Sequence, residues 1–232
     1  MESNFSLNSR FSFNNQDLLT GLPKAICDPI TKNRLSITVL PGESIFKEGD
    51  APKGVYRVKK GLVKKFTATN FGTEHILYIC GAGEYLGYHA LLSKELYHDT
   101  AVALTPCELE FIPEKYFIEA VEASHTLTQR LLKNLSHEFV VFLNATKLLA
   151  KHTVRERAAL NLLILEEKFR TESEEFTEIV IKREDLASMV GTAKESLVRM
   201  LKDFKEDGLI TTSGRSIFIQ DYNGLFKVAS IN

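Results

Sequence analysis

The sequence predicts an α+β chain in three parts: a β-rich first half, a long central helix, and a C-terminal helix-turn-helix with a β-hairpin after it. Three observations carry this reading. From about Leu35 to Pro113, short runs rich in Val, Ile, Tyr and Phe alternate with turn residues. Between Glu114 and Ile181 long stretches run without Gly or Pro. In the last third, two short apolar helical faces meet at a single glycine, Gly191.

At 232 residues the chain suits one large domain or two modest ones. Its 44% hydrophobic and 25% charged residues describe a folded protein rather than a disordered one. The formal net charge of -1 excludes bulk attraction to polyanions, so any affinity for nucleic acid must come from a local patch. Cys27, Cys80 and Cys107 are odd in number and widely spaced, which gives neither a disulfide framework nor a paired zinc motif. A reducing cytoplasm suits them. The polar N-terminus and the lack of about 18 consecutive apolar residues argue against export and membrane spanning, so the expected location is cytoplasmic.

Residues 1–16, rich in Ser, Asn and Phe, are expected to form a flexible arm. Residues 17–116 follow as a β domain, because strands of 4–8 residues bounded by Gly, Pro, Asn and Asp indicate a barrel or sandwich. Residues 117–151 are expected as the central helix. In it Leu132, Leu135, Phe139 and Phe142, then Thr146 and Leu149, follow the alternating 3-4 spacing of a coiled-coil seam, which favours self-association; packing of the helix on its own domain is the alternative. The charged run KHTVRER reads as a hinge into the last domain, 152–232, and the acidic stretch Glu166–Glu178 as a solvated helix end and loop.

KREDLASMVGTAKESLVRMLKDF is the strongest signal. Leu186, Ala187, Met189 and Val190 make one apolar face and Leu197, Val198, Met200 and Leu201 another, with Gly191 supplying the positive φ of a tight turn. Thr192 is placed to cap the second helix. Lys194, Glu195, Ser196 and Arg199 then project from its first turns, the place from which such a helix reads base edges. Glu195 and Arg199, four apart, share a face. An Arg can bond guanine O6 and N7 and a Glu can accept from cytosine N4, so the pair suits a G·C-containing step. Lys182, Arg183, Thr192 and Lys202 are expected as phosphate contacts, joined by Arg215 in the wing GLITTSGRSIFIQD. The bland alternative is an amphipathic hairpin with a Glu195–Arg199 salt bridge.

With these residues in place the chain resembles the cyclic AMP receptor/fumarate-nitrate regulator (CRP/FNR) family over nearly its whole length. LPGESIFKEGDAPKGVYRVKKGLVKKF looks like the start of that family's cyclic-nucleotide-binding-type β-roll, GAGEYLGYHALL like its ligand cassette, and IKREDLASMVGTAKESLVRMLKDFKEDGLI like its winged helix-turn-helix. The resemblance implies a sequence-specific transcription regulator, dimeric through the long central dimerisation helix, with two recognition helices entering successive major grooves of a pseudo-palindrome. It makes Glu195 and Arg199 the main base readers, puts Lys194 where the cyclic AMP receptor has Arg, and suggests TGA-like half-sites. Double-stranded DNA and a second copy of the chain are the implied partners, and RNA polymerase is a further partner open to such a regulator. No membrane partner is expected.

The same resemblance exposes a gap in the cassette. Where nucleotide-binding members carry a Glu for the ribose, Tyr88 follows Gly87; where they carry an Arg for the phosphate, Asp99 precedes Thr100. His98 is adjacent. A carboxylate there repels an anion. Phe142–Leu143 stand where the cyclic AMP receptor has a polar Thr-Ser pair near adenine, so control by cyclic AMP is not expected. Cys27 alone cannot supply the four thiolates of an iron-sulfur cluster. A haem would have to use His75, His89 or Cys80. No cofactor is expected, and another small effector, or none, stays open. No Gly-rich phosphate loop, H-E-x-x-H or G-x-S-x-G occurs, so no catalytic residues are assigned and an enzyme is not expected. The competing class is a β-roll dimer acting as a protein-interaction module.

Overall fold

The computed structural model describes residues 10–13, 15–68, 74–170 and 177–230. They form two compact units, Ser12–Val141 and the chain from Phe142 onward, with Arg10 and Phe11 grouped with the second.

In the first unit, helix α1 (Lys24–Asn33) precedes strands β1 (Leu35–Val39), β2 (Ser44–Phe46), β3 (Gly54–Lys60), β4 (Val63–Ala68), β5 (Glu74–Cys80) and β6 (Tyr85–Leu86). Helix α2 (Tyr88–Ser93), strands β7 (Thr100–Ala103) and β8 (Cys107–Pro113), helix α3 (Glu114–Ala123) and most of α4 (His125–Lys151) complete it. The strands make two four-stranded sheets, β1-β8-β3-β6 and β2-β7-β4-β5, antiparallel throughout, and the chain passes repeatedly from one to the other to build a roll. The short runs legible in the sequence are these strands. Leu18, Val55, Tyr85, Tyr88, Ile112, Phe117, Leu127 and Leu131 share one core, which ties α3 and α4 to the sheet containing β3 and β8.

Three expectations change here. Residues 1–9 and 14 of the expected arm lie outside the described residues, but Phe13 and Asn15 are buried against the roll, so its end is not an arm. Helix α1, with Pro29 inside it, stands within the stretch 17–116 that was expected as a β domain. The helix expected over 117–151 is two: Ser124 takes extended dihedrals, and its Oγ accepts the Leu127 N–H (3.2 Å), so α4 starts afresh at His125 and Phe117 belongs to α3.

A buried ion pair lies inside the roll. Lys65 falls on the inward phase of β4 and places its Nζ 2.8 Å from Asp99 Oδ2, with both side chains largely buried. Burial alone pulls the lysine pKa down; the Asp99 carboxylate, with Cys80 and Glu138 adding to it, turns the net shift upward.

In the second unit the end of α4 is followed by α5 (Val154–Phe169), β9 (Ile179–Val180), α6 (Arg183–Val190), α7 (Lys194–Glu206), β10 (Ile210–Ser213), β11 (Ser216–Ile219) and α8 (Tyr222–Ala229). Thr153 and Glu156 start α5 with a capping box: Thr153 Oγ accepts from Glu156 N (3.3 Å), and Glu156 Oε2 accepts from Thr153 N (2.7 Å). This turn is the break that KHTVRER suggested, whereas the two units divide earlier, inside α4. Ala158, Ala159, Leu160, Leu162, Leu163 and Leu165 are fully buried, so α5 is apolar on most of its circumference and serves as the hub of the unit. The expected two-strand wing gains a third strand, in the order β10-β11-β9.

Removing one partner of a buried ion pair leaves the other charged and unpaired. Asp99→Ala is therefore expected to cost about 3–5 kcal/mol in urea denaturation, and the Lys65→Met/Asp99→Leu double variant to recover most of it. Equal losses in the two variants would show that the pair is not the cause.

Candidate nucleic-acid interface

Helices α6 and α7 owe their mutual placement to a few small or apolar contacts. Leu186, Ala187, Val190, Leu197, Leu201 and Phe204 are buried, and Gly191 between the helices takes φ 68°, ψ 50°. Thr192 N donates to Ala187 O (3.1 Å), closing the end of α6 in a Schellman-type turn. A Cβ at Gly191 would also lie 2.8 Å from Leu149 Cδ2, so space as well as φ selects glycine. Arg157 on α5 fixes the turn from below: Nε donates to Val190 O (2.8 Å), one terminal nitrogen to Gly191 O (3.1 Å) and the other to His152 O (2.7 Å). Sequence reasoning missed this residue, because one arginine in a charged run carries no signal.

Thr192 does not cap α7. The helix begins at Lys194 with Ala193 at the cap position, so the cap residue offers its first N–H groups no side-chain acceptor. Glu195, Val198, Arg199 and Lys202 are exposed and Ser196 is half-buried. Val198, expected in the apolar face, points outward instead, because that face runs through Leu197, Leu201 and Phe204. Arg199 donates to Ser196 Oγ (2.9 Å), and among the described residues no Glu195–Arg199 salt bridge forms. Lys194 pairs with Glu184 on α6 (2.5 Å), which raises the lysine pKa and lowers that of the glutamate.

Of the expected phosphate contacts, Lys182, Lys202 and Arg215 stand at the surface, Thr192 is half-buried and Arg183 is turned to the wing. Lys202 Nζ lies 3.6 Å from Glu206, while Arg183, Lys202, Lys205 and Thr212 line a groove between α7 and the wing. Arg183 is already engaged: its guanidinium donates to Arg215 O (3.1 Å) and Gly214 O (3.1 Å), the carbonyls of the wing turn, and burial lowers its pKa. It braces the wing rather than standing free, while Ser216 Oγ, 2.5 Å from Glu178 Oε1, secures the other side.

The cassette residues are occupied by the protein itself. Gly87 starts α2 with φ 89°. Tyr88 is buried and its hydroxyl donates to Glu138 of α4; burial, then that carboxylate, pushes the phenol pKa well up, so it remains a donor. Asp99 is spent on Lys65, and Thr100 Oγ1 accepts from Glu48 N (3.0 Å). Of the pair standing where the cyclic AMP receptor has Thr-Ser, Phe142 is half-buried and Leu143 is exposed. Of the haem candidates, His89 gives Nε2 to Glu138 (2.5 Å), Cys80 is fully buried in β5 and His75 lies half-buried in the same strand. Lys65 was detectable as a lysine on the apolar phase of a strand; Glu138, a lone acid in a helix, was not.

The seam residues divide as well. Leu132, Phe139 and Leu149 are exposed, but Leu135 packs against the core of the first unit. The exposed stripe of α4 instead runs Leu132, Phe139, Val140 and Leu143, which follows 3.6-residue rather than heptad periodicity.

Comparison with known proteins agrees with both units. The cyclic nucleotide-binding domain family matches residues 36–124, and the Crp-like helix-turn-helix domain family matches 156–228. Electron transport regulator A of Shewanella oneidensis is 28% identical over 190 residues, covering 81% of this chain and 76% of its own. The transcriptional activator protein anr of Pseudomonas aeruginosa is 29% identical over 182 residues, covering 78% and 74%. The solved structure of FixK2 from Bradyrhizobium japonicum superposes with a TM-score of 0.76 at 19% identity over 86% of this chain and 98% of that one, a likeness of fold. A roll with a nucleotide-binding-type cassette, a long helix and a winged helix-turn-helix thus coincide in one chain with these matches, and the protein is a member of the CRP/FNR family of DNA-binding transcription regulators.

Proposed function

We propose that the protein is a homodimeric, sequence-specific regulator that reads a pseudo-palindrome with TGA-like half-sites and does not depend on cyclic AMP. The observation that carries the specificity is the exposed start of α7, where among the described residues Glu195 makes no salt bridge to Arg199 and Arg199 is held by Ser196. Arg199 reads guanine O6 and N7, Glu195 accepts from a cytosine N4, and Lys194 exchanges Glu184 for DNA. Lys182, Lys202, Lys205 and Arg215 contact phosphates and set position and salt dependence. Arg183 serves by holding the wing.

Dimerisation is supported by the stripe on α4. Leu132 is 59% and Phe139 64% exposed, apolar side chains two turns apart that a second copy of the same helix would cover in a two-fold contact. Independence of cyclic AMP is supported by the cassette. Asp99, at its phosphate position, neutralises Lys65, and Glu138 adds a buried carboxylate that an incoming cyclic phosphate would meet. The location that suits such a regulator is the cytoplasm, and no described helix is long and apolar enough to cross a membrane.

Selection from random DNA should return two TGA-containing half-sites in two-fold relation, centred about one helical turn apart, with the same sequence and affinity whether or not cyclic AMP is added. Unrelated single sites, or a requirement for the nucleotide, would reject the reading. Arg199→Ala should weaken the selected site by about 1–3 kcal/mol while sparing random DNA, whereas Lys202→Ala should weaken both alike and reduce the salt slope by about one. Phe139→Glu should give monomers in sedimentation; an unchanged dimer would place the interface elsewhere.

A further inference from the structure

The N-terminal segment of the first unit is held as a ligand is held. The Phe13 ring stacks on Tyr78 with centroids 3.7 Å apart and 10° between planes, and its N–H donates to the Tyr78 hydroxyl (2.7 Å). Asn15, wholly buried, turns both ends of its amide to one residue: Oδ1 accepts the Tyr85 N–H (3.0 Å) and Nδ2 donates to the Tyr85 carbonyl (3.0 Å). The same Nδ2 lies 3.2 Å from the Tyr88 hydroxyl and 3.1 Å from Glu138 Oε1. From α4, His137 reaches the Ser12 carbonyl (3.0 Å), and one Arg130 nitrogen reaches the carbonyls of Asp17 (2.9 Å), Leu18 (3.2 Å) and Thr20 (2.5 Å).

We infer that the compartment bounded by Tyr78, Tyr85, Tyr88 and Glu138 is a peptide site whose ligand is the chain's own N-terminal segment, with Phe13 and Asn15 as its anchors. Its chemistry selects a flat ring for Tyr78 and, two residues on, an amide that can both donate and accept. Glu84 and Glu138, each 1% exposed, line it with carboxylates, so it takes donors and excludes anions. A consequence concerns α4. Asn134, Glu138 and Val141 are drawn inward at helical spacing, which leaves Leu132, Phe139 and Leu143 on the opposite, outer face. By bonding Glu138, the segment sets which face of α4 is presented to a second copy, so this consequence rests on the dimeric reading above. The tethered peptide thereby takes the place of a diffusible effector, and a signal acts by releasing it.

The test uses the full-length chain with Phe13→Ala/Asn15→Ala and a labelled synthetic peptide of residues 10–20, followed by fluorescence anisotropy. The double variant should bind this peptide saturably, at least tenfold tighter than a control peptide with the same two alanines, while the wild type, its site filled, should bind neither. The variant's dimer dissociation constant should rise at least tenfold in sedimentation and return toward the wild-type value as peptide saturates. A folded variant that prefers neither peptide, or that dimerises as the wild type does, overturns the proposal. If the double variant fails to fold, Asn15→Asp sets a second carboxylate against Glu138 and should weaken the dimer; Glu138→Gln added to it should restore at least half of the loss, and no restoration overturns the proposal. A monomeric wild type would count against the dimeric reading alone, since the anisotropy titration reads the peptide site without it.

Discussion

A carboxylate that is 1% exposed must be matched by donors, and the first unit is arranged around meeting that demand at Glu138. An unpaired buried charge costs several kcal/mol, roughly the scale of a whole domain's stability. Three donors converge on Glu138 from separate parts of the chain: the Tyr88 hydroxyl and the His89 ring from α2, and the Asn15 amide from the N-terminal segment. With Glu138 turned inward on α4, Leu132 and Phe139 lie toward the far side of the helix and are exposed. The polar contact and the exposed stripe are two results of one constraint.

The second unit is organised by an apolar hub instead. Helix α5 has little polar surface to spare, and it gathers α6, α7, α8 and β9 by burying Ala and Leu on most of its faces. Direction is then supplied by two arginines. Arg157 takes the carbonyls at the helix-turn-helix corner, and Arg183 takes those of the wing turn. Carbonyls at a helix end or a tight turn lack partners of their own, so a guanidinium with several donors can pin such a corner without competing for its core. The start of α7, with Glu195 and Arg199, is thereby left exposed.

The legible part of this protein was what depends on local chain chemistry. Strands bounded by turn residues, a glycine forced to positive φ at Gly191, and polar residues following it on a helical face are properties of neighbours in sequence, and each fixed an element or its edge. The family resemblance rested on those same residues. Less visible were positions whose role depends on a partner far along the chain. Thr192 yields the cap position to Ala193, Arg183 turns to the wing, and Leu135 faces the core rather than a seam, because helix phase is settled by packing and not by the spacing of leucines alone.

By itself, then, the sequence determined a β-rich first half, which the family resemblance made a β-roll, a long helix and a winged helix-turn-helix, with Glu195 and Arg199 projecting from its second helix. The tertiary structure decided what fills the cassette. Asp99, just before β7, meets Lys65 of β4, and Asn15 meets Glu138 across more than a hundred residues of chain, contacts that no local pattern encodes. Burial makes those pairings obligatory, since water is not there to serve in their place.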